Sequence, residues 1–182
     1  MSISHIINEI KTHFNGKQII VAELGILYGE SIPLLLNNLN IHEYNGIDAF
    51  INYESNKDGS YELMKNHGND IYNTIKNRFL HDKRVNIVKG FTNEVVHKFN
   101  DGYFDLVFID AGHEYEQVSS DIELWSKKVK KNGILCGDDY FYPPVKRAVH
   151  EFIEKNNYKL FNSINKNPDV NHNYPWSWYV FI

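Results

Sequence analysis

At 182 residues and 42 % hydrophobic content, the chain suits one globular domain, 1–182, built on a single sizeable core. A formal charge of −4 and a pI near 6.1 supply no strong field for gathering nucleic acid or an anionic membrane surface, so neither partner is expected. With a lone Cys136 no intramolecular disulfide can form. The first residues do not read as a charged-then-apolar leader and no apolar run has bilayer length, so a soluble, cytoplasmic protein is expected.

In chain order, Ile3, Ile6, Ile7, Ile10 and Phe14 recur at helical spacing and Gly16 stops them. "QIIVAEL" (18–24) predicts a buried strand, and "GILYGE" is a glycine corner after it. Ser31 is placed to cap a helix with Pro33 in its first turn. "YNGIDAF" (44–50) predicts a second strand. Residues 52–70 read as a long loop or lid, followed by a helix carrying Ile71, Ile75 and Phe79 and a third strand over 84–90. "YFDLVFID" (103–110) is a near-continuous apolar run, as in a parallel strand covered on both faces.

Tyr115, Val118, Ile122, Trp125 and Val129 predict a helix that ends at Asn132-Gly133. On that reading Lys127, Lys128, Lys130 and Lys131 are a solvated helix end complementing the dipole. "ILCGDD" (134–139) is a fifth strand with Cys136 in the core. Pro143-Pro144 opens a helix, and strands over 158–164 and 176–182 pair as an antiparallel hairpin across a polar, Asn-rich connection. Strands alternating with helices give an α/β fold: a doubly wound, mostly parallel seven-stranded sheet closed by an antiparallel C-terminal strand.

Ligands of such sheets bind beyond the carboxyl ends of the strands. Glu23 to Gly25, Asp48, Gly90-Phe91-Thr92, Asp110 to His113 and Asp138-Asp139 all fall there. Gly25 and Gly29 permit close backbone approach, but Leu27 and Glu30 break the dinucleotide pattern G-x-G-x-x-G, which leaves a nicotinamide dehydrogenase a distant alternative. Glu23 would repel phosphate and suit a cationic group, and Asp48 is placed to accept from ribose hydroxyls. An acid for a cationic amino-acid group, an acid for ribose and glycines between them describe S-adenosylmethionine. Tyr28, Phe91 and Thr92 are candidates for an adenine pocket, and Tyr140, Tyr142, Trp176 and Trp178 for a substrate wall.

"VAELGILYGESIPLLL" resembles the first motif of class I S-adenosylmethionine-dependent methyltransferases, whose fold is Rossmann-like, and "YNGIDAF" resembles their second acidic strand end. "FDLVFIDAGHEYEQVSSDIELW", "KKNGILCGDDY" and "PPVKRAVHEF" are similar to a narrower group, the metal-dependent macrocin- and mycinamicin-type sugar O-methyltransferases with the cephalosporin-hydroxylase-like proteins. The resemblance implies cofactor contacts at Glu23, Gly25 and Asp48, extended here to Tyr28, Ser31, Gly90, Phe91, Thr92 and Asp110. It implies magnesium ligands at Asp110, Asp138 and Asp139, and a general base at His113. Asp138 stands where that group often has the longer Glu.

The residue types suit the chemistry. Methyl transfer from a sulfonium is an in-line displacement in which alignment does much of the work. A sugar hydroxyl is a poor nucleophile that a carboxylate-held divalent cation activates, and an imidazole of ordinary pKa near 6.5 is able to take its proton. Chelation favours adjacent oxygens, so a catechol or small phenol is the alternative to a sugar or glycan-like acceptor. A non-catalytic S-adenosylmethionine-binding protein is the alternative from another class. No separate acceptor domain is evident, so either a second copy of the chain completes the pocket in a homo-oligomer or the acceptor binds shallowly.

Overall fold

A computed structural model describes residues 3–51, 60–164 and 175–182. After a 3-10 turn at Ile3–His5 the elements run α1 (Ile7–Phe14), β1 (Ile19–Leu24), α2 (Ser31–Asn38), β2 (Ile41–Asp48), α3 (Ser60–Arg78), β3 (Val85–Lys89) and α4 (Thr92–Val95). They continue with β4 (Phe104–Ile109), α5 (Tyr115–Trp125), β5 (Val129–Gly137), α6 (Pro143–Asn156), β6 (Phe161–Ile164) and β7 (Pro175–Phe181). One seven-stranded sheet has the order β3-β2-β1-β4-β5-β7-β6. Its first five strands are parallel, and β7 lies antiparallel to both β5 and β6, as the missing helix between the last two strands requires.

Because successive strand side chains alternate in direction, each central strand feeds two cores. Val21, Leu106, Phe108, Ile134 and Cys136 face α1, α2 and α3. Ala22, Leu24, Val107, Ile109 and Leu135 face α4, α5 and α6. Each fully buried aliphatic side chain contributes roughly 1.5–3 kcal/mol, so the apolar strands of the sequence are explained by burial on both faces. No helix among the described residues is long and apolar enough to cross a membrane.

Several boundaries depart from the sequence reading. Residues 60–70, assigned to a loop or lid, belong to α3; the remainder of that segment, 52–59, lies outside the described residues, as does the 165–174 part of the Asn-rich connection. The second strand starts at Ile41 and ends at Asp48. The helix after β4 ends at Trp125 and tightens into a 3-10 turn at Ser126–Lys128, so Lys127 and Lys128 do close a helical end, whereas Lys130, Lys131 and Asn132-Gly133 lie within β5. Val129 satisfies helical spacing but pairs with Phe104, and tertiary strand pairing overrides the local period. Lys128 binds Asp101, and Lys130 binds Asp105.

Asp105 lies near the start of β4, at the amino end of the sheet. Its carboxylate is 3 % exposed and accepts from Lys17 Nζ at 3.0 Å, Lys130 Nζ at 2.7 Å and the Ile20 backbone N–H at 3.0 Å. Burial alone would raise its pKa, but these three donors together hold it below the usual carboxylate range. A depressed folded pKa means that the stabilisation is present at neutral pH and is lost as pH falls through that value. The substitution D105A leaves the Ile20 N–H without its acceptor and is expected to lower the unfolding free energy by about 1–3 kcal/mol at pH 7, measured by urea denaturation. The deficit should shrink toward acid pH.

Candidate functional site

The site is assembled at the carboxyl ends of β1 to β5. Gly25 follows β1 at φ +82°, and a Cβ there would sit 2.1 Å from the Asp110 carbonyl oxygen. The requirement for glycine is therefore set by the chain leaving β4. Gly25 N–H donates to Ile47 O and Asp110 N–H to Leu24 O, both at 2.8 Å, which knits the ends of β2, β1 and β4 together. Gly29 is also left-handed, at φ +67°, and so is Leu27, at +44°. A left-handed leucine costs about 1–2 kcal/mol, and Asp48 offsets it. One Asp48 oxygen accepts from the Ile26 and Leu27 N–H groups at 3.0 Å each, and the other accepts from Phe50 N–H at 2.7 Å. Asp48, foreseen as a ribose acceptor, thus fastens two backbone loops, and burial raises its pKa.

Glu23 lies beneath the corner and not at its mouth. It is 1 % exposed and accepts hydrogen bonds from the Tyr44 hydroxyl and from Ser31. Ser31 accordingly does not cap α2: its hydroxyl turns to Glu23, and no side chain caps that helix. Burial pushes Glu23 up to about 7, against the lowering effect of Ser31 and Tyr44, with Asp110 and Asp48 raising it further. Tyr28 is 37 % exposed at the rim.

At the end of β3, Gly90 donates its N–H to Asp48 O at 2.9 Å, and Phe91 O accepts from the Glu94 and Val95 N–H groups at the start of α4. The Thr92 hydroxyl, expected at an adenine pocket, donates to Asp121 on α5 at 2.5 Å.

The ends of β4 and β5 bring Asp110, His113 and Asp139 together, with one ligand atom from each within 4.8 Å of the others. His113 Nε2 lies 2.7 Å from Asp139 Oδ2. Asp139 adopts φ +54°, a conformation in which Asp is enriched among non-glycine residues and which here accompanies its contact with His113. Asp138 lines the same pocket along with Ala111, Gly112 and Trp178, but its carboxylate accepts from Ser177 Oγ at 3.1 Å and is outside the three-residue group. Burial, then Asp110, then Asp139 push Asp138 up to about 7. The structure therefore groups His113 with two of the three acids assigned to metal.

The aromatic wall is redistributed. Tyr140 and Trp178 are buried, the former with its hydroxyl 2.7 Å from His150 Nε2, whereas Phe141 and Tyr142 are each 42 % exposed at the mouth. The Tyr142 ring stands edge-on to His113 at 6.3 Å, and Trp176 packs on Phe141 at 5.0 Å. Ser177, Tyr44 and Asp121 were not singled out from the sequence. Asp121 alone gave a readable signal there, an acid inside the apolar helical stripe of Val118, Ile122 and Trp125.

A family model described as a methyltransferase domain matches residues 22–140. The chain is 28 % identical over 157 residues to "Uncharacterized protein R132" of Acanthamoeba polyphaga mimivirus; the match covers 82 % of this chain and 66 % of that protein. Among solved structures it resembles a putative caffeoyl-CoA O-methyltransferase from Staphylococcus aureus, with a TM-score of 0.67 at 16 % identity, over 99 % of this chain and 82 % of that one. It also resembles the O-methyltransferase NovP, with a TM-score of 0.62 at 17 % identity, over 98 % and 78 % of the two chains. At such identities the likeness is one of fold.

Glu23 supplies a pH prediction. Its folded pKa near 7 lies above the ordinary 4.5, so between these values the folded chain holds the proton that the unfolded chain has lost, and stability falls as pH rises through that window. The substitution E23Q removes the titration. Relative to the wild type, E23Q should gain stability on the order of 2 kcal/mol between pH 5 and pH 7.5, read from urea unfolding curves at the two pH values.

Proposed function

Because the chain belongs to the methyltransferase-domain family, we propose that it transfers a methyl group from S-adenosylmethionine to a hydroxyl oxygen, with a divalent cation such as magnesium at the acceptor and a sugar or glycan-like compound bearing adjacent hydroxyls as substrate. The observation that carries the reading is the convergence of Asp110, His113 and Asp139 at the ends of β4 and β5, beside the glycine corner.

The residues fit a cation. Asp138 is raised partly by the neighbouring charges of Asp110 and Asp139, a crowding of like charge that a bound cation relieves. Asp110 and Asp139 would hold it, with Asp138 behind them. A divalent cation supplies Lewis acidity that lowers the pKa of a bound hydroxyl and fixes its position. Asp139, 2.7 Å from His113 Nε2, orients the imidazole that takes the proton leaving the hydroxyl. The hydroxyl oxygen forms a bond to the methyl carbon as the carbon–sulfur bond breaks, and the electron pair leaves with sulfur as a neutral thioether.

For the cofactor, Gly25 to Gly29 offer backbone at close range and Asp48 organises that backbone from below. The buried Glu23, with Asp110 and Asp48 near it, lends negative potential to a region that would receive a sulfonium and an ammonium group. The exposed Tyr142 and Phe141 suit the C–H face of a sugar. They suit a flat aryl ring equally, and the edge contact of Tyr142 with His113 favours a catechol as the second reading.

The substitutions H113A and D139A are expected to lower formation of S-adenosylhomocysteine about 10²–10⁴-fold, while calorimetric affinity for S-adenosylmethionine stays within about twofold. A chelator should abolish turnover of the wild type, and assays with a glycoside panel and with catechol separate the two acceptor readings. Near-wild-type rates in both variants under chelation would refute the mechanism.

A further inference from the structure

Asp121 is a buried acid that the proposed chemistry does not use and that, unlike Asp105, no lysine answers. It is 1 % exposed on the inward face of α5, among Val118, Ile122 and Trp125. One carboxylate oxygen accepts from the Thr92 hydroxyl; the other is buried and has no hydrogen-bond partner among the described residues. A half-satisfied carboxylate is a poor way to pack a helix, since each unmet buried polar group costs about 1–3 kcal/mol and an apolar side chain of similar size would avoid that cost. Burial accordingly pushes its acid up to about 6, against the opposing hydrogen bond from Thr92. Stability of α5 does not account for an acid at this position.

Its one partner does. Thr92 opens α4 directly after the Gly90-Phe91 turn, whose Gly90 N–H binds the carbonyl of Asp48. Gly90 packs close to α4: at φ +155° a Cβ there would meet Val95 Cγ2 at 2.7 Å. The turn is thus held on one side by the end of β2 and on the other by Asp121. Asp48 in turn carries the Ile26, Leu27 and Phe50 N–H groups of the glycine corner and the loop after β2. Hydrogen bonds joined by the short backbone stretch Gly90–Thr92 thus connect α5 to the end of β2.

We propose that Asp121 is a positioning residue for the cofactor pocket: by holding the Thr92 hydroxyl it sets the turn after β3 and, through Gly90, the strand end that carries Asp48. The proposal rests on the reading of these strand ends as the S-adenosylmethionine site.

The test uses the full chain with D121N, D121L and T92V, each titrated calorimetrically with S-adenosylmethionine and S-adenosylhomocysteine and each melted thermally. The amide oxygen of D121N still accepts from Thr92, so this conservative variant should bind within twofold of the wild type. D121L and T92V should bind about tenfold more weakly, with D121L melting no lower than the wild type because an apolar side chain replaces a half-satisfied acid. Unchanged affinity in both D121L and T92V overturns the role, and so does a lower melting temperature with unchanged affinity, the signature of a purely structural residue. Should D121L fail to fold, T92V decides alone. Absence of binding by the wild type overturns the underlying cofactor reading and this role with it, a result distinct from wild-type binding that the variants fail to weaken.

Discussion

The contact on which the site depends is the crossing of two backbones at Gly25 and Asp110. β1 and β4 are parallel neighbours, yet the chains leaving them diverge: α2 packs on one face of the sheet and α5 on the other. Divergence at adjacent strands opens the crevice in which ligands of doubly wound sheets lie. The strand ends must still be held close, which the Gly25–Ile47 and Asp110–Leu24 hydrogen bonds do, and only a residue lacking Cβ fits beneath the Asp110 carbonyl. One missing methyl group therefore sets the separation between the loop that would meet the cofactor and the acid that would meet the acceptor.

The two ends of the sheet treat acids in opposite ways. Asp105, at the amino end, is buried and fully answered by two lysines and a backbone donor, and its pKa is lowered. At the carboxyl end, Glu23, Asp48 and Asp138 are buried with hydroxyl or backbone donors, and their pKa values are raised. Hydroxyl and amide dipoles offset desolvation less than a full positive charge does. The carboxyl end thus gathers acids that no cation of the described residues answers and that a positive ligand would draw into their ionised form, which suits a ligand set of a sulfonium, an ammonium and a metal ion. The same asymmetry argues against a phosphate-bearing cofactor at the glycine corner.

Much of this was legible in the sequence, and the failures have identifiable causes. Strand order aside, the alternation of apolar runs and helical stripes gave the fold, because parallel strands buried on both faces leave a continuous hydrophobic record. The positions of Asp48, Asp110, His113, Asp138 and Asp139 at strand ends could be counted directly. The role of each could not, because a strand-end acid serves equally well as a ligand group or as a backbone fastener, and only the structure shows Asp48 taking three N–H groups. Ser31 was misread as a cap because capping is a local expectation, whereas Glu23 and Tyr44, which capture the hydroxyl network, are neighbours only through β1–β2 pairing. Val129 follows the helical period by coincidence; its place in β5 is dictated by pairing with Phe104, and Asn132 is held there by its N–H on the Ile182 carbonyl.

The C-terminal hairpin illustrates how an element without chemistry of its own can shape a site. β7 runs opposite to β5, with Trp178 beside Gly137, so its first residues arrive where β5 ends. There Ser177 Oγ donates to Asp138, and Trp176 O accepts the Tyr140 N–H at 2.9 Å. Asp139, between those two anchored residues, holds its left-handed backbone while Tyr142 N–H closes a turn onto its carbonyl at 2.8 Å. A parallel strand in the same place would have presented its carboxyl end, and the residues following it, to this corner. Reversing the last strand instead delivers from its start a hydroxyl to Asp138 and a carbonyl to Tyr140 N–H, anchoring the residues on both sides of Asp139. The antiparallel closure of the sheet is in this sense part of the site, since both neighbours of Asp139 are anchored by a strand that contributes none of the three converging residues.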